Sequence, residues 1–183
     1  MSSIILYHVS GDEIRVPDIR RGRENADFAQ GFYLSRDKEF VLRRAAGDAV
    51  LNTYELSTDN LKIRRLERSR EWFDYIFANR RAQKDTLEEF DVVVGSIAND
   101  TIYNTMGIIT SGLLPPDEAL KLLMIGPEYE QTAIKTDKAS AALRWISSDR
   151  VSEETVSRYK GRVKTEEEEY MRQFSATMEE ISR

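Results

Sequence analysis

Two residues near the start of the chain offer most of its chemistry: His8, in Leu6-Tyr7-His8-Val9-Ser10, and Tyr33, in Gly31-Phe32-Tyr33-Leu34-Ser35. His8 is the chain's one histidine, and an imidazole titrating near neutrality can serve as acid, base or ribose-binding group. Tyr33 offers a flat ring for stacking and a hydroxyl for hydrogen bonding. Gly31 relaxes the backbone beside it and admits close approach of a ligand. Each also has an ordinary reading, His8 as a structural histidine and Tyr33 as core. Arg20, Arg23 and Arg80 are candidates for a phosphate-bearing ligand, because forked donors match phosphate geometry. Asn99 and Asp100 follow an apolar run, where they either enter a ligand cleft or cap the next helix. Asp91, at the start of that run, reads as structural.

Composition removes several alternatives. The 183-residue chain has no cysteine, which excludes disulfides, zinc–thiolate sites and cysteine nucleophiles and points to a reducing cytosol. One histidine excludes a multi-histidine metal site. The net charge of -5 gives no bulk attraction to nucleic acid. Local basic clusters at Arg20, Arg21 and Arg23, and from Lys62 to Arg70, suit a small phosphate-bearing ligand better than a long polyanion, or else form solvated faces. The N-terminus lacks the basic flank and long apolar stretch of a signal peptide, and no run approaches the roughly 20 residues that span a bilayer. These features predict a cytoplasmic protein without membrane association. There is no GxGxxG or GxxxxGK[ST] pattern, so dinucleotide-fold and P-loop readings lack a motif.

The elements that must position these residues follow from periodicity. Short strands are predicted at Ile4–His8 and Gly31–Ser35, joined by a polar loop over 11–30 that is long enough to be functional. Ser35 is expected to cap a helix from Arg36 to about Ala46. Alternation predicts a strand over Val50–Leu56, with another over Leu61–Leu66. Trp72, Phe73, Ile76 and Phe77 predict a helix over Ser69–Arg81. The run Asp91–Ile97 reads as a central strand buried on both faces. Helices are expected over Asp100–Thr110, Asp117–Met124 and from Asp137, with strands over Gln131–Thr136 and near Leu143–Ile146. Tyr170, Phe174, Met178 and Ile181 then mark an amphipathic helix beginning after Ser152, which either packs on the core or meets a partner. Mixed short strands and helices without βαβ alternation argue α+β, with a domain over 1–150 and a helical extension over 151–183.

Taken together, LYHVS at 6–10, PDI and GR at 17–23, DFAQGFYLS at 27–35, NTYEL at 52–56, the tryptophan-to-NR segment at 72–80, DVVVGSIAND at 91–100 and QTAIKTDKA at 131–139 resemble a family of small bacterial proteins catalogued as a domain of unknown function. That family is grouped with the ADP-ribosyltransferase superfamily, and the likeness covers about Ile4 to Ile146. The resemblance implies a split β-sheet core with NAD bound as substrate between two small sheets. It implies that His8 and the backbone around Val9 hold the nicotinamide ribose and amide, and that Tyr33 stacks on the nicotinamide ring. Such stacking on a desolvated cation is worth on the order of 1–2 kcal/mol. Gly31, Arg23, Asn99 and Asp100 are the further NAD-binding candidates. The third residue of the histidine-tyrosine-glutamate class is normally a glutamate, and the position that matches it is Gln131. Glu130 should face the other side of the sheet, and Glu128 lies in the preceding loop. The implied activity is mono-ADP-ribosyl transfer to a macromolecular acceptor, as in a toxin with a partner antitoxin or a second copy on the C-terminal helix. The alternative is a catalytically weak NAD-binding protein that lost the glutamate. No metal is expected.

Overall fold

A computed structural model describes residues 2–98, Gly107 and residues 114–182. It is a mixed α+β structure with two sheets. Strands β1 (Ser3–Ser10), β3 (Val50–Ser57) and β7 (Leu143–Arg150) form an antiparallel sheet in the order β1-β3-β7. Strands β2 (Phe32–Leu34), β4 (Ile63–Leu66), β5 (Val92–Ser96) and β6 (Glu130–Ile134) form a mixed sheet in the order β2-β6-β5-β4, with only the β4–β5 pair parallel. Among the described residues the helices are α1 (Lys38–Leu42), α2 (Arg70–Arg80), α3 (Pro116–Leu123), α4 (Asp137–Ala141) and α5 (Glu153–Ile181), with a 3₁₀ turn at Ile19–Arg21.

The apolar run at 91–97 does become a buried strand. All five residues of β5 are buried, between β6 and β4. Alternation sends Val93 to a cluster with Phe28, Trp72, Phe73 and Ile76, where α2 covers one face. Val92 and Val94 go to a cluster with Leu6, Phe32, Tyr54, Leu56 and Ile134, where the two sheets face each other. The Trp72 indole N–H donates to the Ser96 carbonyl at 2.7 Å, which satisfies the one polar atom on this large buried ring. On β3, Asn52 is fully buried. Its amide receives the Ile14 N–H and the Ser148 hydroxyl and donates to Ser10 and the Asp12 carbonyl, so its burial leaves no unmet bond.

Three sequence expectations shift. The helix foreseen from Arg36 to Ala46 is the five-residue α1, capped by Asp37, whose carboxylate accepts the Phe40 N–H at 3.0 Å. Ser35 is drawn instead into an antiparallel bridge with Tyr7. The last strand runs on to Arg150 rather than stopping near Ile146, because the polar stretch Ser147–Arg150 pairs with Val50–Thr53. The helix expected over Asp100–Thr110 falls outside the described residues except at Gly107.

The tail forms one long helix against the core. Ser152 caps α5 by accepting the Thr155 N–H, and the helix runs 29 residues. Tyr159 packs beside Phe40, Leu51 and Ile97, while Tyr170 and Phe174 pack against Leu122 and Ile125. Its apolar stripe is therefore covered by this chain's own residues. Of the two readings of this helix, packing on the core is the one its contacts show.

Candidate functional site

The two sheets touch where β1 meets the end of β2. The Tyr7 N–H donates to the Ser35 carbonyl at 2.8 Å and the Ser35 N–H to the Tyr7 carbonyl at 3.0 Å. Ser35, 1% exposed, also donates its hydroxyl to the Glu130 carbonyl at 2.7 Å, which ties β6 to the same junction. This clasp brings together His8 and Tyr33, which are 25 positions apart in sequence.

His8 Nδ1 lies 2.8 Å from the Tyr33 carbonyl oxygen. A carbonyl only accepts, so Nδ1 carries the proton and Nε2 of the neutral ring is left as an acceptor. Burial lowers the His8 pKa from its ordinary value, the Tyr33 carbonyl opposes that shift, and the nearby Arg44 charge adds to it. The imidazole is thus neutral at pH 7. The Phe32 ring, 4.5 Å away, supports it.

Tyr33 is held by both ends of its hydroxyl, which donates to the Ala29 carbonyl at 2.6 Å and accepts the Phe28 N–H at 3.0 Å. Ala29 has φ 62, a left-handed conformation that costs a non-glycine residue energy, and the tyrosine holds that turn in place. Burial raises the phenol's pKa well above its ordinary value, so it is a neutral hydrogen-bonding group. Its ring continues a stacked column through Phe28, at 6.3 Å, to Tyr75, a further 6.5 Å on.

Two adjoining hollows open on Tyr33, and His8 borders the smaller of them. A small one of about 90 Å³ is bounded by His8, Val9, Tyr33, Phe40, Arg44 and Gln131. A polar one of about 300 Å³ is lined by Arg23, Asp27, Tyr33, Arg44, Arg80 and Gln131. They share Tyr33, Arg44 and Gln131. Beyond the second, Arg23, Asn25, Asp27 and Arg80 border a further recess. Asp27 fixes this wall: it accepts from the Arg80 guanidinium at 2.7 Å and from the Ala98 N–H at 3.1 Å.

The structure sorts the candidates. His8, Val9, Tyr33, Gln131, Arg23 and Arg80 share the cleft. Arg20 does not, since it pairs with Asp137 at 2.9 Å on the exposed surface. At Gly31 a Cβ would come within 2.6 Å of the Ile134 carbonyl oxygen, so the close approach of β6 demands the glycine. Glu130 pairs with Arg65 at 2.5 Å, and Glu128 accepts the Ser96 hydroxyl at 2.7 Å; neither borders the hollows. Asn99 and Asp100 lie outside the described residues. Asp91 is structural. Burial alone would raise its carboxyl, but the Lys62 N–H, the Lys138 ammonium and the Thr136 hydroxyl outweigh this and hold it below the usual carboxylate range.

Sequence reasoning missed Arg44 and Asp27. Arg44 borders both hollows, and the surrounding protein desolvates its guanidinium enough to lower its pKa, with Asp27 opposing and Arg23 reinforcing that shift. An arginine stays charged regardless. Nothing in the local pattern marks a charged residue just past a short helix as part of a site.

The family described as a protein of unknown function, DUF3990, matches residues 4–145. No curated protein and no solved structure matches.

Proposed function

The chain belongs to the DUF3990 family, and from that premise and the cleft geometry we propose that it is an NAD-dependent mono-ADP-ribosyltransferase. The observation that carries this reading is the convergence of His8, Tyr33 and Gln131 on one cleft whose outer wall bears Arg23 and Arg44. Nicotinamide occupies the smaller hollow against the Tyr33 ring. The His8 Nε2 lone pair accepts the hydroxyl of the adjoining ribose, and the Val9 backbone borders the amide. The pyrophosphate meets Arg23 and Arg44, whose donors suit phosphate oxygens. The bond between ribose C1′ and the pyridinium nitrogen breaks with its electron pair leaving on nicotinamide, and the acceptor's nucleophile forms the new bond to C1′ as it loses a proton. Gln131 orients the ribose through its amide. Holding two reactants in place supplies much of such a barrier.

A second reading is a weakly active or inactive NAD-binding protein. It is favoured by Gln131, which brings no negative charge, and by the engagement of Glu128 and Glu130 elsewhere. The toxin role belongs to the first reading, and induced expression with and without neighbouring genes tests it through growth arrest and rescue.

The experiment incubates the purified protein with labelled NAD and lysate, comparing wild type with His8→Ala and Tyr33→Ala. Label on a macromolecule or released nicotinamide, lost by at least ~10²-fold in both variants, upholds the transferase. NAD binding without turnover upholds the second reading, and Gln131→Glu should then raise turnover. Absence of both binding and turnover overturns both.

A further inference from the structure

Beside the cleft, α5 closes another pocket, and we propose that it is the acceptor site and takes a guanidinium-bearing side chain; this rests on the transferase reading. The pocket, about 220 Å³, includes Phe40, Arg44, Tyr129, Val163, Glu167 and Tyr170 in its walls. Phe40 and Arg44 also border the small hollow, so the pocket lies next to the proposed reaction centre and shares two of its walls. A transferase needs two arms, one for each substrate. The polar arm suits a dinucleotide's phosphates. The apolar one is left for the acceptor.

Its chemistry matches a guanidinium on a methylene stem. Phe40, Val163 and Tyr170 offer apolar surface to the stem. A carboxylate receives the planar head. The protein already pairs one guanidinium with a carboxylate at the same place. Arg43 lies over the Tyr129 ring at 4.6 Å and is bonded to Glu166, which also accepts the Tyr129 hydroxyl at 2.8 Å. That pair cancels its own charge. Glu167, one position on, lines the pocket and offers its carboxylate to an incoming cation. Arg44 repels that cation until donor phosphates neutralise it, so the acceptor binds more tightly once the donor is in place. In the transfer a guanidinium nitrogen gives a proton to the Glu167 carboxylate, its lone pair bonds to C1′, and nicotinamide leaves with the electrons of the broken bond. The carboxylate then returns the proton to solvent.

The test uses agmatine, a small guanidinium compound. Its binding to the whole protein is measured by calorimetry, alone and with saturating ADP-ribose, for wild type, Glu167→Gln and Val163→Trp. Saturable binding that ADP-ribose tightens, and that falls ~10-fold or more in both variants, is the expected result. An NAD-binding isotherm that Glu167→Gln leaves unchanged shows that this variant is folded. Agmatine that fails to saturate, or binds wild type and Glu167→Gln alike, overturns the proposal. The two readings fail separately. NAD turnover without agmatine binding sinks the acceptor site alone, and agmatine binding without NAD binding upholds the guanidinium pocket while sinking the donor reading.

Discussion

The proton on His8 is set by what its ring touches. Since burial depresses its pKa below the ordinary 6.5, the unfolded chain binds a proton there before the folded one does. Well above pH 6.5 both states are neutral and the residue makes no pH-dependent contribution. As pH falls below that value the unfolded state is favoured increasingly, until the folded pKa is passed. Thermal melts between pH 7 and pH 5 should therefore show a steeper fall in Tm for wild type than for His8→Gln; equal slopes would contradict a neutral buried imidazole. Tyr33 separates two functions in one side chain. Tyr33→Phe keeps the ring that faces the cleft but leaves the Phe28 N–H and Ala29 carbonyl without their shared partner, at a cost of about 1–3 kcal/mol in denaturant unfolding. NAD binding should weaken less in Tyr33→Phe than in Tyr33→Ala. His8 and Tyr33 were legible because each sits in a short apolar strand beside a long polar loop. Arg44 and Asp27 were not, because their relation to the site exists only through space.

At the scale of elements, the site depends on backbone segments lying closer than side chains allow. Gly22 and Gly31 meet: a Cβ on Gly22 would fall 2.1 Å from the Gly31 carbonyl oxygen. Gln30 straps this contact, its amide donating to the Arg20 and Gly22 carbonyls at 2.9 and 3.1 Å. Because the obstructing atoms are backbone, relief requires the 11–30 loop to move off β2 and β6. Gly22→Ala and Gly31→Ala should each lose about 1–3 kcal/mol, measured by urea unfolding. Gly47→Ala, where a Cβ meets nothing within 4 Å, should stay near wild type. Strand periodicity made β1, β3 and β5 readable, since each buries alternating or continuous apolar residues. The end of β7 was hidden for the opposite reason. Ser147, Ser148, Asp149 and Arg150 have no apolar face, and they pair with β3 through main-chain bonds that carry no side-chain signature. Likewise, Ser35 resembles a helix cap, but its pairing with Tyr7 outcompetes that role and leaves capping to Asp37.

For the whole molecule, the organising fact is that α5 lies outside the matched segment 4–145 yet covers the flank of the core that carries the site. Spacings of four and three along the tail sufficed to foresee an amphipathic helix, but not what its stripe would meet, because Leu122 and Ile125 come from a separate segment. The helix is pinned at three heights: Val156 beside Ala45 and Ala49, Tyr159 beside Phe40 and Leu51, and Tyr170 with Phe174 beside Leu122 and Ile125. Ion pairs supplement these contacts, with Arg162 meeting Glu39 at 2.9 Å, but that pair is half or more exposed on both sides and screened by solvent. Packing should therefore dominate the helix's hold. Phe174, 6% exposed, and Met171, 39% exposed, separate the two effects on one turn of helix. Phe174→Ala removes a buried ring and leaves a hole, costing about 3–5 kcal/mol. Met171→Ala should change stability by about 0.5 kcal/mol or less. Urea unfolding of both variants decides the matter. A Phe174→Ala loss that large shows the helix folding with the core as one cooperative unit, whereas a loss no greater than that of Met171→Ala would mean that α5 is held by its polar contacts and can lift from the pocket it closes without unfolding the rest.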